Sequence, residues 1–131
     1  MSFAIFLLSG VASLAQEKVD PDRLAAELAA DGDVIRSLRN NGDEPTNVRP
    51  VDVRFVGAAG SIERLRQAAP GMGWRIIQTI AQDDGSTALD LQRDQTTELP
   101  VLTALTKEAL QLESAFGVRY DGWGTAATPR R

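Results

Sequence analysis

Near its C-terminus the chain reads Val118-Arg119-Tyr120-Asp121-Gly122-Trp123-Gly124-Thr125, and the prediction of the fold starts from these residues. It begins with the alternation typical of a strand, in which Val118 and Tyr120 point to one side and Arg119 and Asp121 to the other. Two glycines then flank Trp123, one of only two tryptophans in the chain, and permit a tight backbone turn. We therefore predict a strand over residues 118–123 as the last element of the fold.

The chain before this strand alternates between strand-like and helix-like patterns. Val51, Val53 and Phe55 alternate with charged residues, whereas most apolar residues between 100 and 116 fall within one sector of a helical wheel. In order, the predicted elements are a strand at 51–55, a helix at 61–69, strands at 74–81 and 87–93, a helix at 100–116 and the last strand. With right-handed crossovers this order predicts an α+β fold. It is a ferredoxin-like split βαβ sandwich, with a four-stranded antiparallel sheet and helices on one face.

An extra helical region lies N-terminal to this unit. Asp20 is placed to accept the first free amides of a helix, and Pro21 suits the first helical position. Four apolar residues share one helical stripe: Leu24, Leu28, Ile35 and Leu38. The stretch Asp31-Gly32-Asp33 interrupts the stripe, either as a kink in one helix or as the cap of a second. The sequence allows this region to cover a sheet edge or to join the helical layer.

Composition limits the possible functions. A chain of 131 residues with a hydrophobic content of 43% is large enough for one domain with its own core. It has no cysteine, which excludes disulfides and thiolate chemistry. It also has no histidine, which is the commonest general base and the commonest metal ligand. Its net charge of −4 would repel a polyanion such as RNA. Composition therefore argues against an enzyme and against direct nucleic-acid binding, and we expect no cofactor or metal ion.

Residues 1–15 are almost entirely apolar and form a segment separate from the single domain predicted at residues 16–131. The segment is too short to span a bilayer as a helix, so we expect no stable membrane span. Its length and its Ser13-Leu14-Ala15 sequence suit a secretory signal, although no basic residue precedes the apolar run. The alternative is an N-terminal helix with an apolar face. The first interpretation predicts an exported protein, and the second is compatible with a cytoplasmic one.

Three stretches resemble one known family. They are Tyr120-Asp121-Gly122-Trp123-Gly124-Thr125, the run Gly32-Asp33-Val34-Ile35-Arg36-Ser37-Leu38 followed by Asn41-Gly42-Asp43, and Arg49-Pro50-Val51-Asp52. In these positions the chain resembles the RraB family, the regulators or inhibitors of ribonuclease E, over about residues 31–125. The hexapeptide is the most specific of the three, because it includes a tryptophan and falls in the last predicted strand.

The resemblance implies an α+β sandwich that acts by binding protein and has no catalysis of its own. The implied partner is ribonuclease E or a related nuclease, and the implied effect is modulation of RNA turnover. This chain departs from the family in two respects. Family members linked to ribonuclease E tend to be strongly acidic with an acidic C-terminal extension, whereas residues 126–131 here read Ala-Ala-Thr-Pro-Arg-Arg. The apolar run at residues 1–15 is also unusual for the family.

Two interpretations of the last strand remain open. In the first, Tyr120 packs in the core, Trp123 closes the sheet, and Gly122 and Gly124 serve the turn. In the second, Asp121 and Trp123 lie on the sheet face away from the helices and bind a protein partner, because tryptophan and arginine are favoured interface anchors. Alternation along the strands predicts further residues on or near that face, with the three arginines as partner-binding candidates: Asp52, Arg54, Arg75, Ile77, Asp90 and Arg119.

Other chemistry has less support. Asp83-Asp84 and Asp31-Gly32-Asp33 lack the spacing of a calcium loop and lie where turns favour aspartate. The sequence leaves two classes of function. One is a protein-binding regulatory module, and the other is an exported or ligand-sensing domain of the same fold that does not bind ribonuclease E. The oligomeric state cannot be read from the sequence, although an uncovered sheet edge would permit pairing.

Overall fold

The computed structural model describes residues 18–130, which form one sheet and a layer of helices. The strands are β1 (Arg49–Gly57), β2 (Arg75–Ala81), β3 (Thr87–Gln95) and β4 (Arg119–Gly124). The helices are α1 (Pro21–Asn40), α2 (Ala59–Ala68) and α3 (Leu99–Phe116), and a 3-10 turn at Ala69–Met72 follows α2. The apolar segment at residues 1–15 lies outside the described residues, so its role stays a prediction. In the described part of the chain, no helix is both long and apolar enough to cross a membrane.

The sheet has the strand order β2-β3-β1-β4, and each pair of neighbours is antiparallel. The two strands joined by the hairpin at Asp83-Asp84, β2 and β3, lie side by side. The other two connections, from β1 to β2 and from β3 to β4, each contain a helix and skip to a strand further away. This is the split βαβ arrangement, so the predicted ferredoxin-like fold is confirmed.

The core lies between the sheet and the helices. Alternate residues of β1, namely Val51, Val53 and Phe55, are buried, and Leu89 and Leu91 of β3 extend the same face. The apolar sides of α2 and α3 complete the cluster with Ile62, Leu65, Leu102, Leu105, Ala109, Leu110 and Leu112. The period-two strands and the helical stripes of the sequence therefore meet in one core.

Helix α1 joins the helical layer and lies antiparallel to α3. Three contacts, in order along the helices, show this direction: Arg23 to Glu113, Asp31 to Thr106, and Arg39 to Thr97. The helix continues through Asp31-Gly32-Asp33, so a second helix capped at this stretch is the wrong alternative. The predicted cap at its start is confirmed, because Asp20 accepts a hydrogen bond from the Asp22 amide at 3.0 Å.

A buried ion pair fastens the end of α1 to the start of β1. Asp43 is buried and accepts hydrogen bonds from Arg49 at 2.8 Å, from Arg39 at 2.9 Å and from the Thr97 hydroxyl at 2.6 Å. It also accepts the Thr128 amide at 2.8 Å, which holds the C-terminal stretch against the body of the domain. Burial by itself would raise the pKa of Asp43, but these hydrogen bonds outweigh it and lower that pKa to about 2.

Replacing Asp43 by alanine tests this network. We expect Asp43→Ala to lower the free energy of unfolding at pH 7 by about 3 kcal/mol or more, because it leaves the buried Arg49 without its carboxylate. The unfolded carboxyl titrates near its usual value of 3.8, above the folded pKa of about 2. The stability from Asp43 is therefore complete above the unfolded pKa and is lost as the pH falls through the folded one.

Urea titrations between pH 7 and pH 2 measure both effects. The variant should lack the part of the acid destabilisation that Asp43 causes in the wild-type chain. A matched control is Asp33→Ala, which removes the Asp33–Arg36 pair, whose side chains are 75% and 71% exposed. An exposed pair contributes about 0.5 kcal/mol or less. An equal loss in both variants would contradict the assigned role of Asp43.

Candidate functional site

The sheet surface opposite the helices, called here the outer face, is not covered by any described helix. Strand pairing and alternation place charged and polar residues on it: Asp52, Arg54, Arg75, Gln78, Asp90, Gln92, Arg119 and Asp121. Ile77, at the irregularity between Ile76 and Gln78, lies beside them. A shallow depression of about 410 Å³ lies in this face, with Arg54, Ile77, Asp90 and Asp121 among its lining residues. Four of the five predicted partner-binding residues, namely Arg54, Arg75, Arg119 and Asp121, therefore share one surface.

Most charged groups of the outer face are paired across strands. Arg54 donates to both carboxylate oxygens of Asp90, at 2.7 and 2.9 Å, and this pairing lowers the pKa of Asp90. Arg75 donates to Gln92 and to Asp94, each at 2.7 Å. Such partly exposed pairs each stabilise the fold by about 1 kcal/mol or less. Their larger effect is to hold the side chains of the face in a fixed arrangement.

Arg119 and Asp121 are the least constrained charges of the outer face. Their closest approach is 3.6 Å, and their side chains are 67% and 44% exposed. Both point away from the core, as the alternation around the buried Tyr120 predicts. They are therefore free to form new contacts with a partner at little cost to the fold.

Trp123, the fifth candidate, borders the same depression, but its side chain is directed to the opposite side of the sheet. In the register between β1 and β4, Tyr120 is opposite Phe55 and Trp123 is opposite Val53, with a bulge between them. Gly122 has a φ of +93° at this bulge. Tyr120 and Trp123 are three residues apart, yet both face the core, because the bulge shifts the alternation by one residue. The predicted position of Trp123 on the face away from the helices is wrong.

Packing of the aromatic residues agrees with the first interpretation of the last strand. Tyr120 is buried, and its ring centroid lies 5.5 Å from that of Phe55. Trp123 is half-buried against the core, and its indole Nε1 donates to Asp31 at 2.8 Å. The family hexapeptide thus divides between the two sides of the sheet, with its aromatic residues inside and Asp121 outside.

The acceptor of the Trp123 hydrogen bond, Asp31, is a buried carboxylate in the middle of α1. Its second oxygen accepts from the Thr106 hydroxyl of α3 at 2.5 Å. Burial raises the pKa of Asp31, and the bonds from Thr106 and Trp123 offset part of that effect. Burial, together with the negative charge of Asp31, also raises the pKa of Tyr120.

The sequence analysis placed Asp31 at a kink in one helix or at the cap of a second, where turns favour aspartate. The structure places it inside one continuous helix, with its carboxylate buried. The sequence does contain a signal for this buried helical position, because Asp31 is in helical register with the apolar stripe at Leu24, Leu28, Ile35 and Leu38. A carboxylate within an apolar stripe must be hydrogen-bonded when it is buried, and here Thr106 and Trp123 supply the donors.

A comparison with protein families identifies the chain. The family described as regulator of ribonuclease activity B matches residues 28–125. The chain belongs to the RraB family. The resemblance in the hexapeptide and in the region before Asp43 is therefore confirmed. A search among curated proteins found no match.

The part of this RraB protein that matches the family contains both sides of the site. It begins at residue 28 within α1, so it includes Asp31, and it ends at residue 125, directly after β4. Trp123 and its buried acceptor therefore belong to the matched domain, as do the outward-facing Arg119 and Asp121. The C-terminal residues held by Asp43 lie beyond the matched range.

Asparagine at position 31 separates the charge of Asp31 from its hydrogen bonds. The folded pKa of this carboxyl lies above its usual value of 3.8, so the wild-type chain loses stability as the pH rises through the interval between the two. Asp31→Asn has no such loss and can still accept from Trp123, while Thr106 can accept from its amide. We expect the variant to gain stability relative to the wild type between acid and neutral pH.

Chemical unfolding of both proteins at several pH values measures this difference. Asp31→Ala is the companion variant, and it should be less stable than Asp31→Asn by about 1–3 kcal/mol because it leaves the indole N–H without its acceptor. If the difference in free energy of unfolding between Asp31→Asn and wild type is the same at all pH values, the pKa of the Asp31 carboxyl is not raised by folding.

The bulge in β4 is tested with a pair of glycine variants. At a φ of +93° an L side chain is strained, so Gly122→Ala should lower the free energy of unfolding by about 1–2 kcal/mol. Gly124→Ala is the control, because Gly124 has no positive φ and nothing lies within 4 Å of an added Cβ. Thermal unfolding followed by circular dichroism compares the two. Equal melting temperatures would contradict the importance of the bulge.

Proposed function

We propose that this RraB protein regulates a ribonuclease by binding it, and that it does so without catalysing a reaction. The observation that carries the proposal is membership of a family of ribonuclease regulators in a chain whose outer sheet face is free of described helices. Ribonuclease E is the proposed target, in line with the resemblance in the hexapeptide. The proposed binding surface is the outer face, centred on Arg54, Arg119 and Asp121.

The chemistry of the outer face supports a protein as the partner. Interfaces between proteins that also exist separately are about as polar as the rest of the surface, and arginine is enriched in them. Here Arg54 is held in place by Asp90 before any partner binds, so ordering it costs little entropy on association. Ile77, with 48% of its surface exposed, supplies an apolar contact beside these charges.

Charge and composition favour indirect regulation over action on RNA. A protein with a net charge of −4 has no overall attraction to a phosphate backbone, which dominates nucleic-acid affinity. The sequence also has no histidine or cysteine to act as general base or nucleophile. A contact with the nuclease itself, through a face of mixed charge, is the route that these properties support.

Exchanging two charges tests the proposed surface without changing the net charge. We expect the double variant Arg119→Asp with Asp121→Arg to bind purified ribonuclease E at least about tenfold more weakly. Each exchanged side chain now repels the group on the nuclease that the original side chain attracted. Isothermal titration calorimetry measures the affinity, and cleavage of a model RNA by the nuclease measures the regulation. The melting temperature should change little because both side chains are largely exposed.

A second exchange provides the matched control. Asp33→Arg with Arg36→Asp reverses a similarly exposed ion pair on α1, away from the outer face. This variant should bind like the wild type. Equal weakening in both variants would reject the outer face as the binding surface. If neither variant binds ribonuclease E and the wild-type chain does not bind it either, ribonuclease E is not the target. That result would favour the ligand-sensing or exported alternative.

A further inference from the structure

One edge of the sheet is open along the whole of β2. In the order β2-β3-β1-β4, β2 is an outer strand that pairs with β3, and no other strand among residues 18–130 lies on its far side. All residues of Arg75–Ala81 are exposed except Ile80, which is half-buried. An edge strand presents a row of unpaired backbone N–H and C=O groups that can pair with another strand.

The side chains of β2 favour such pairing. Residues 76–81 read Ile-Ile-Gln-Thr-Ile-Ala, a segment of high β propensity without charge, proline or glycine. Ile76 and Ile77 are 36% and 48% exposed. Proteins usually protect an open edge with charged residues, proline or a strong bulge. The opposite edge has such protection in Arg119, Asp121 and the bulge at Gly122. Strand β2 has Arg75 at its first position and an irregularity between Ile76 and Gln78, but no charge from Ile76 to Ala81.

We propose that β2 pairs antiparallel with β2 of a second copy of this chain, joining the two four-stranded sheets into one. Charge complementarity favours a second copy as the occupant. Arg75 lies at the start of β2, and the exposed Asp83 and Asp84 lie in the turn just after its end. A two-fold axis near Gln78 and Thr79 brings Arg75 of each copy beside the aspartates of the other.

The opposite orientation does not have this advantage. A parallel arrangement of the same two strands places Arg75 beside its own counterpart, and like charges directly opposite each other are destabilising. Among the described residues, Asp83 forms no ion pair, whereas Arg75 pairs with Asp94 through Nη2. The Arg75 side chain is 48% exposed, and its Nη1 donates no hydrogen bond within the described residues, so Arg75 can also reach Asp83 of the second copy. The dimer uses the sheet edge and leaves Arg119 and Asp121 exposed. Arg75 and Ile77 belong both to this edge and to the outer face. Dimerisation is therefore tested without a ribonuclease, and its outcome does not decide the proposed binding.

Sedimentation velocity of the full chain over a range of concentrations tests the proposal. We expect a reversible species of twice the 14.1 kDa chain mass. Ile77→Lys should raise the concentration at half-dissociation by about tenfold or more, because a charge on the edge opposes strand pairing. Val48→Lys is the matched control, since Val48 is 68% exposed and lies outside the strands, and it should dimerise like the wild type.

A charge reversal tests the antiparallel orientation. Arg75→Glu and Asp83→Arg should each weaken the dimer, and the double variant should recover part of the lost affinity. Amide hydrogen exchange of the unmodified chain provides a measurement that needs no substitution. Exchange in Arg75–Ala81 should slow as the protein concentration rises, while exchange in Arg119–Gly124 should not change.

Four results would overturn the proposal. The first is a wild-type chain that stays monomeric up to about 100 μM, far above the dissociation constant of a specific dimer. The second is equal weakening of the dimer by Ile77→Lys and Val48→Lys. The third is no recovery of affinity in the double charge variant, and the fourth is amide exchange in β2 that does not change with protein concentration. A monomer whose β2 amides become protected only when ribonuclease E is added is an example of the first result and also overturns the dimer. It would assign the edge to the nuclease instead of a second copy.

Discussion

The hydrogen bonds to the carboxylate of Asp31 are the interaction on which the arrangement of this domain depends. They join α1 to α3 through Thr106 and to β4 through Trp123. Helix α1 has few other buried contacts, since Asp31 and Leu38 are its buried residues. A helix with so narrow an apolar contact is positioned by polar bonds at defined points, here Arg23, Asp31 and Arg39. The burial of a charge costs stability, and its donors restrict α1 to one register against the core.

The bulge at Gly122 allows one short strand to serve both sides of the sheet. Before the bulge, Tyr120 enters the core while Arg119 and Asp121 face outward. After it, Trp123 also turns inward and reaches Asp31. Residues that stabilise the domain and residues available to a partner are therefore neighbours in sequence but lie on opposite faces. This separation explains how the outer face can carry exchangeable charges while the aromatic residues of the same hexapeptide stay in the core.

The two exposed parts of the sheet have different chemistry. On the outer face, Arg54, Asp90 and Arg75 are already paired across strands, so their side chains are held in a fixed arrangement. Along β2 the side chains are uncharged from Ile76 to Ala81, and the backbone itself is the unsatisfied group. On the first surface charges are spread over the whole face, whereas on the second the charges of Arg75 and Asp83 only flank an uncharged strand. A second copy of this chain offers such a strand and is always present at the concentration of the chain itself.

Sequence patterns alone predict the order and type of the elements, the buried faces of β1 and β3, the N-cap at Asp20 and the family. These depend on local periodicity, on turn residues and on a motif, all of which are visible along the chain. Three features appear only in the folded structure: α1 joins the helical layer, Asp31 is buried, and Trp123 faces inward. The physical reason is that each of these depends on groups distant in sequence. Asp31 is buried only because Thr106 and Trp123, 75 and 92 residues away, come within hydrogen-bonding distance. Trp123 turns inward only because β4 pairs with β1 across a bulge, which reverses the alternation that the hexapeptide shows on its own.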